Sequence, residues 1–260
     1  MFAAIAFALL LAPGAEEKSF VADGAKLEKL WSEGEFTEGP VEGPDGCVYF
    51  SDIGNRVMKF DPKTGKTTAF RDPGGRTNGL KFDAKGRLIA CEGANTGGGR
   101  RISVTEKDGT VKSLADKFEG MKFNSPNDLT LDSKGRIYFS DPRYVGDEKR
   151  ELDHESVYRI DADGKVTRVI KDVMRPNGLV ISPDGKTLYV SDFASDGTIV
   201  ATAGSKAAGG VYFFSAEGKK VAFLPTPEDP NNCCFAGKDK KTLYVTAGKS
   251  LYRVELTIGK

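Results

Sequence analysis

One short phrase recurs five times along this chain, and its spacing constrains the fold more than any other feature. Each copy opens with a polar residue at a tight turn: Glu38-Gly39-Pro40, Asn78-Gly79-Leu80, Asn127-Asp128-Leu129, Asn177-Gly178-Leu179 and Asn232-Cys233-Cys234. Eight residues later a turn position follows, filled by Gly46, Gly86, Gly135, Gly185 and, irregularly, Lys240. A β-rich run comes next in every copy: Val48-Tyr49-Phe50, Leu88-Ile89-Ala90, Ile137-Tyr138-Phe139, Leu188-Tyr189-Val190 and Leu243-Tyr244-Val245. Most copies add a third run, such as 57–61, 156–161 and 210–215, and then a fourth after an Asp/Gly-Lys turn. Four short strands in about 40–55 residues is the scale of a propeller blade rather than of a βαβ unit. No apolar spacing of three and four residues persists for the length of a helix, so the chain reads as all-β.

A propeller must close its ring or leave a sheet edge exposed. The segment 27–32 is a lone strand-like run ahead of the first copy, suited to completing the sheet of the last copy, 241–256. This closure defines one propeller domain over 27–260, preceded by a linker over 15–26.

Residues 1–14 form an apolar run closed by small residues and followed by Glu16-Glu17-Lys18. We read it as a signal peptide of a secreted or periplasmic protein, the alternative being an ordinary apolar N-terminus. The run is too short to span a bilayer as a helix, so no membrane partner is expected. Thirty-eight basic residues against thirty-seven acidic leave a formal charge of +1, with no basic block, so nucleic acid is not an expected partner either. Cys47, Cys91, Cys233 and Cys234 lack CxxC spacing and read as small buried side chains.

Three stretches carry a resemblance. FEGMKFNSPNDLTLDSKGRIYFSDPRY (118–144), RPNGLVISPDGKTLYVSD (175–192) and PTPEDPNNCCFAGKDKKTLYVTAGKSLYRV (225–254) resemble the gluconolactonase, senescence-marker and luciferin-regenerating family. The resemblance implies a six-bladed β-propeller of lactone hydrolases that use a divalent metal, usually calcium, in the central channel. It further implies that Glu38 and Asn177 are metal ligands, that Asn127 lies at the metal or the substrate, and that Ser125 contacts substrate. One departure stands out: the fifth of six expected copies, with the family's aspartate that serves as metal ligand and base, is missing between Asp192 and Thr198. The chain is therefore expected to be a six-bladed type lacking most of one blade, and its catalytic base is left unassigned.

Strands at one repeat position share one height around a propeller axis, so Glu38, Asn78, Asn127, Asn177 and Asn232 are expected to form one ring in the channel. A carboxylate with amide oxygens, free of imidazole and thiolate, is a hard donor set that suits Ca2+. Asn before Gly is also ordinary turn chemistry, which leaves a purely structural reading open for each asparagine singly. Asn78 is a candidate substrate contact and Asn232 a weaker one. Asp128 is expected to point away from the channel by strand alternation. A second acid series, Asp52, Glu92, Asp141 and Asp192, reads as strand-end hydrogen bonding. His154, the single histidine, falls in the charged loop Asp153-His154-Glu155, and Gly97-Gly98-Gly99 reads as a flexible inter-strand loop. The expected activity is metal-assisted hydrolysis of a small sugar lactone. The alternatives are a degenerate propeller that binds metal or sugar, or a protein-binding scaffold. The oligomeric state is not readable.

Overall fold

Among the described residues the first strand pairs with the last. In the computed structural model, which describes residues 26–94, 97–181, 185, 188–190, 210–214 and 220–256, every regular element is a strand. After β1 (Glu28–Trp31), the first blade comprises β2 (Thr37–Glu42), β3 (Val48–Asp52), β4 (Arg56–Asp61) and β5 (Lys66–Arg71). The second comprises β6 (Thr77–Phe82), β7 (Leu88–Glu92), β8 (Arg101–Thr105) and β9 (Val111–Ala115), followed by a small hairpin of β10 (Lys117–Phe118) and β11 (Met121–Lys122). The third comprises β12 (Leu129–Leu131), β13 (Ile137–Asp141), β14 (Ser156–Ile160) and β15 (Val166–Ile170). Two antiparallel pairs follow, β16 (Leu179–Ile181) with β17 (Leu188–Val190) and β18 (Gly210–Phe214) with β19 (Lys220–Pro225). The last sheet has the order β1, β22 (Ser250–Glu255), β21 (Thr242–Ala247), β20 (Pro230–Ala236). Glu28 stands opposite Arg253 in that sheet, so 27–32 closes the ring as the sequence predicts.

The turn at each repeat is conformationally uniform. Gly46, Gly86, Gly135 and Gly185 have φ of 76°, 73°, 74° and 71°, and the irregular Lys240 adopts the same left-handed state at 54°. A side chain there costs backbone strain, so the fifth copy keeps the turn geometry without the residue that suits it.

The apolar cores lie between blades. Along β3, Val48 and Phe50 pack toward the last blade against Tyr244 and Leu251, whereas Tyr49 packs toward the second blade against Leu80 and Leu88. Along β7, Leu88 and Ala90 face the first blade while Ile89 and Cys91 join Phe123 and, from the third blade, Phe139 and Tyr158. Period-two alternation therefore sends successive side chains into opposite interfaces, and both faces of a central strand are apolar. Fully buried Phe50, Phe139, Tyr158 and Tyr252 each contribute about 1.5–3 kcal/mol of burial. Val211 and Leu224 of the β18–β19 pair pack on Leu243, Val245 and Tyr252, seating that pair against the last blade.

The innermost strands β20, β2, β6, β12 and β16 neighbour one another in that order around the channel. Residues 1–25, Asp192 and the segment where the missing copy is expected lie outside the described residues.

Candidate functional site

The five leading residues stand at the entries of the innermost strands, and main-chain bonds link several of them between blades. The Ser51 hydroxyl donates to the Asn78 carbonyl at 2.7 Å, Gly79 N–H to the Asn127 carbonyl at 2.7 Å, and the Ser140 hydroxyl to the Asn177 carbonyl at 2.6 Å. Asn231 reaches across the ring closure to the Thr37 carbonyl at 2.9 Å. The serines of the repeated Tyr-Phe-Ser-Asp phrase are thus inter-blade latches, and they engage the carbonyls of ring residues rather than their side chains. Close approach also fixes the next residue: a Cβ on Gly39 would sit 2.1 Å from the Asn78 carbonyl oxygen, and one on Gly79 2.5 Å from an Asp128 carboxylate oxygen. The Glu-Gly and Asn-Gly phrases carry glycine because neighbouring blades touch there.

Glu38 is 5% exposed. Its Oε2 accepts Gly39 N–H at 3.1 Å and the Asn232 amide at 3.3 Å. The Asn232 Oδ1 in turn accepts Cys233 N–H at 2.8 Å. Asn232 is therefore held at both ends of its amide, with its NH2 group on Glu38. Burial pushes the Glu38 carboxyl up to about 8, and the nearby Asp128 carboxylate adds to the rise, against the opposing pull of Gly39 N–H and the Asn232 amide.

Asp128 corrects the sequence reading. It lines the channel cavity together with Gly39, Pro40, Lys81, Leu179, Asn232 and Cys233. Strand alternation does not apply to it because β12 begins only at Leu129, and Asp128 belongs to the irregular approach. The equivalent stretches of the first two blades carry register shifts between Glu38 and Val41 and between Thr77 and Leu80. Burial raises the Asp128 pKa, while Lys81 and the N–H groups of Leu129 and Leu179 act the other way. Desolvation lifts the Cys233 thiol to about 11, so the channel holds no thiolate nucleophile at that position near neutral pH.

The second acid series is structural, as expected, at the three described positions. Asp52 accepts the N–H groups of Glu35 and Phe36 and pairs with Arg56 at 2.6 Å. Asp141 accepts Asn124 N–H at 2.8 Å and Ser125 N–H at 2.7 Å, and Glu92 pairs with Arg71 and Arg101. Asp52 and Asp141 each pin the segment entering an innermost strand, and Asp141 in this way places Ser125. The Ser125 hydroxyl oxygen also accepts Ala94 N–H at 2.9 Å. Burial raises the Asp141 pKa to about 7 against the N–H groups of Asn124 and Ser125 and the charges of Arg100 and Arg143.

Asn78, Asn127 and Asn177 are each half-buried at the ring. The Asn177 amide donates to the Tyr144 hydroxyl at 3.1 Å, a partner that the sequence reading did not single out although Tyr144 closes the Ser-Asp-Pro-Arg-Tyr phrase. His154 is an exposed loop residue near Asp153, as expected. The loop at Gly97–Gly99 is tighter than expected, since a Cβ on Gly98 would meet the Gly93 carbonyl at 2.2 Å. All four cysteines are free. Among the described residues no three His, Cys, Asp or Glu side chains cluster closely enough to hold a metal unaided. One carboxylate, Glu38, with the amide oxygens of the leading asparagines is a hard oxygen donor set of the type calcium takes.

The fold is an all-β propeller whose innermost strands carry Glu38 and the four leading asparagines near their starts. Residues 36–209 match the family described as SMP-30/Gluconolactonase/LRE-like region, and the chain belongs to that family. It is 28% identical to a gluconolactonase of Zymomonas mobilis over 292 aligned positions, covering 88% of this chain and 80% of the relative. That alignment exceeds the 260 residues of this chain, so the relative carries residues that this chain lacks. A lactonase, drp35, of Staphylococcus epidermidis is 28% identical over 84% of this chain and 65% of its own. The structure of a gluconolactonase from Xanthomonas campestris superposes with a TM-score of 0.79 at 29% identity, covering 92% of this chain and 91% of the other. A calcium-binding regucalcin from Agrobacterium tumefaciens shares the fold at a TM-score of 0.68 and 16% identity, over 89% and 95% of the two chains.

Proposed function

We propose that this protein hydrolyses a small sugar lactone with a divalent cation, Ca2+, held in the channel by Glu38, Asn127 and Asn177. The observation that carries the reading is the buried Glu38 carboxyl, raised to about 8 and bonded to neutral donors rather than to a basic side chain among the described residues. A buried carboxylate in such surroundings is stable as an anion only beside a cation. The gluconolactonase and lactonase relatives support the reaction class.

When bound, a divalent cation supplies Lewis-acid polarisation of the lactone carbonyl. The chain's own groups do the rest. Asn232 and Gly39 N–H fix the Glu38 carboxylate, and Ser125, Asn127 and Asn78 hold the sugar hydroxyls at the channel mouth. Asp128, the second carboxylate of the channel, takes the proton of the attacking water. Water oxygen bonds to the carbonyl carbon, the ring C–O bond breaks, and the released alkoxide oxygen takes up a proton to give the open hydroxy acid. We also assign residues 1–14 to export, which places the protein outside the cytoplasm.

Acid release from gluconolactone in a pH-stat tests the proposal, comparing calcium with chelator. Equal rates under both conditions, matching the uncatalysed rate, would reject the enzyme. Calcium binding without turnover supports a second reading, a binding protein, which the absence of the fifth copy's aspartate favours.

A further inference from the structure

We infer that Tyr144 is a positioning residue that sets which atom of the Asn177 amide is left for a cation, an inference that rests on the metal reading above. An asparagine binds a cation through Oδ1 and repels it through Nδ2, yet the two ends of the amide have nearly the same shape. A ring built on asparagines therefore needs a device to hold the amide the right way round.

The phenol provides it by proton counting. Tyr144 O–H has one hydrogen, and it is donated to the Arg175 carbonyl at 3.2 Å. Toward Asn177 the phenol oxygen can then only accept, so Asn177 must present Nδ2, as it does at 3.1 Å. The opposite amide end, Oδ1, is turned away from the phenol. The Asn177 main chain is held separately by the Ser140 hydroxyl on its carbonyl, so the phenol acts on the amide rotation and not on the backbone.

The loop that carries the phenol is itself anchored. The Arg143 side chain is 7% exposed, and its Nη1 donates to the carbonyls of Gly146 and Glu148. The Arg175 guanidinium lies 5.9 Å from the centroid of the Tyr144 ring, a residue that is 37% exposed. A partly exposed phenol with both of these bonds satisfied contributes little to the core, which makes its substitution informative about the site.

The test uses Tyr144→Phe and Asn177→Asp, singly and combined. In chelated protein, the Asn177 side-chain NH2 resonances, identified by their loss in Asn177→Asp, are expected to shift and to exchange faster with solvent in Tyr144→Phe. Calcium titration calorimetry is expected to show affinity about 3–10-fold weaker for Tyr144→Phe, the scale of one neutral hydrogen bond. Against the Asn177→Asp background the same substitution is expected to change affinity less than about twofold, because the two oxygens of a carboxylate are equivalent and need no orienting. An unmoved amide resonance, or equal weakening in both backgrounds, overturns the positioning role. An amide shift in Tyr144→Phe alongside wild-type protein that binds no calcium supports the orientation and rejects the metal reading instead.

Discussion

Replacing Glu38 with Gln should stabilise the metal-free protein while abolishing its response to calcium. Glutamine keeps an oxygen that can accept both Gly39 N–H and the Asn232 amide, so the substitution removes charge with little change of shape. The Glu38 carboxyl rises from an ordinary 4.5 to about 8 in the folded state. Between those values the folded chain holds a proton that the unfolded chain has released, so metal-free stability is full below about pH 4.5 and falls as pH rises through the window. At about 1.4 kcal/mol per pH unit the ceiling is roughly 4–5 kcal/mol, and relaxation of the site brings the expected gain for Glu38→Gln at pH 8 to about 2–4 kcal/mol. Urea unfolding in chelator, followed by the fluorescence of Trp31, the single tryptophan, which packs edge-on against Phe50, reads this directly. The two proteins should converge near pH 5 and diverge toward pH 8. Calcium at a hundredfold excess over Kd should then add about 2.7 kcal/mol to the parent and nothing to the variant. A variant no more stable than its parent at pH 8, or one that still gains from calcium, would refute the assignment of Glu38 as a buried carboxylate awaiting a cation.

Asn177→Ala should weaken calcium binding sharply in calorimetry while His154→Ala, on an exposed loop, leaves it unchanged; equal affinities would dissolve the ring as a site. Gly39→Ala should cost at least about 3 kcal/mol in urea unfolding, because its Cβ would stand 2.1 Å from the Asn78 carbonyl oxygen and backbone must move. Deleting 27–32 removes β1 and bares the β22 edge, and thermal unfolding should shift down as a single cooperative transition; loss of only a minor early phase would show that ring closure matters little.

Ring closure, the second strands and the left-handed turns were legible because each follows from a local rule repeated at fixed spacing. Even Lys240 was placed at its turn by phase alone, against its residue type. Asp128 was misread for a physical reason: period-two alternation holds only where a strand is regular, and the approach to β12 is not. The latches from Ser51 and Ser140 were visible as a repeated phrase but not as inter-blade bonds, since a hydroxyl's partner depends on the neighbouring blade. Tyr144 was hidden likewise, its role depending on a residue 33 positions away. For Glu38 the donor type was readable, whereas the degree of its burial was a property of the assembled ring.

The pairing of β1 with β22 also sets a timetable. Arg253, which bonds Glu28 across that seam, is 225 residues further along the chain. At synthesis rates of about 5–20 residues per second, β1 leaves the ribosome roughly 10–45 seconds before its partner strand exists. Throughout that interval the nascent ring is an open arc, and the N-terminal strand must avoid pairing with other chains. Its alternating Glu28 and Lys29, both exposed in the finished sheet, suit a strand that has to wait in solvent. Ribosomes stalled before Ser250 should therefore present every earlier blade and still release a chain whose two ends cannot meet, sensitive to proteases at both.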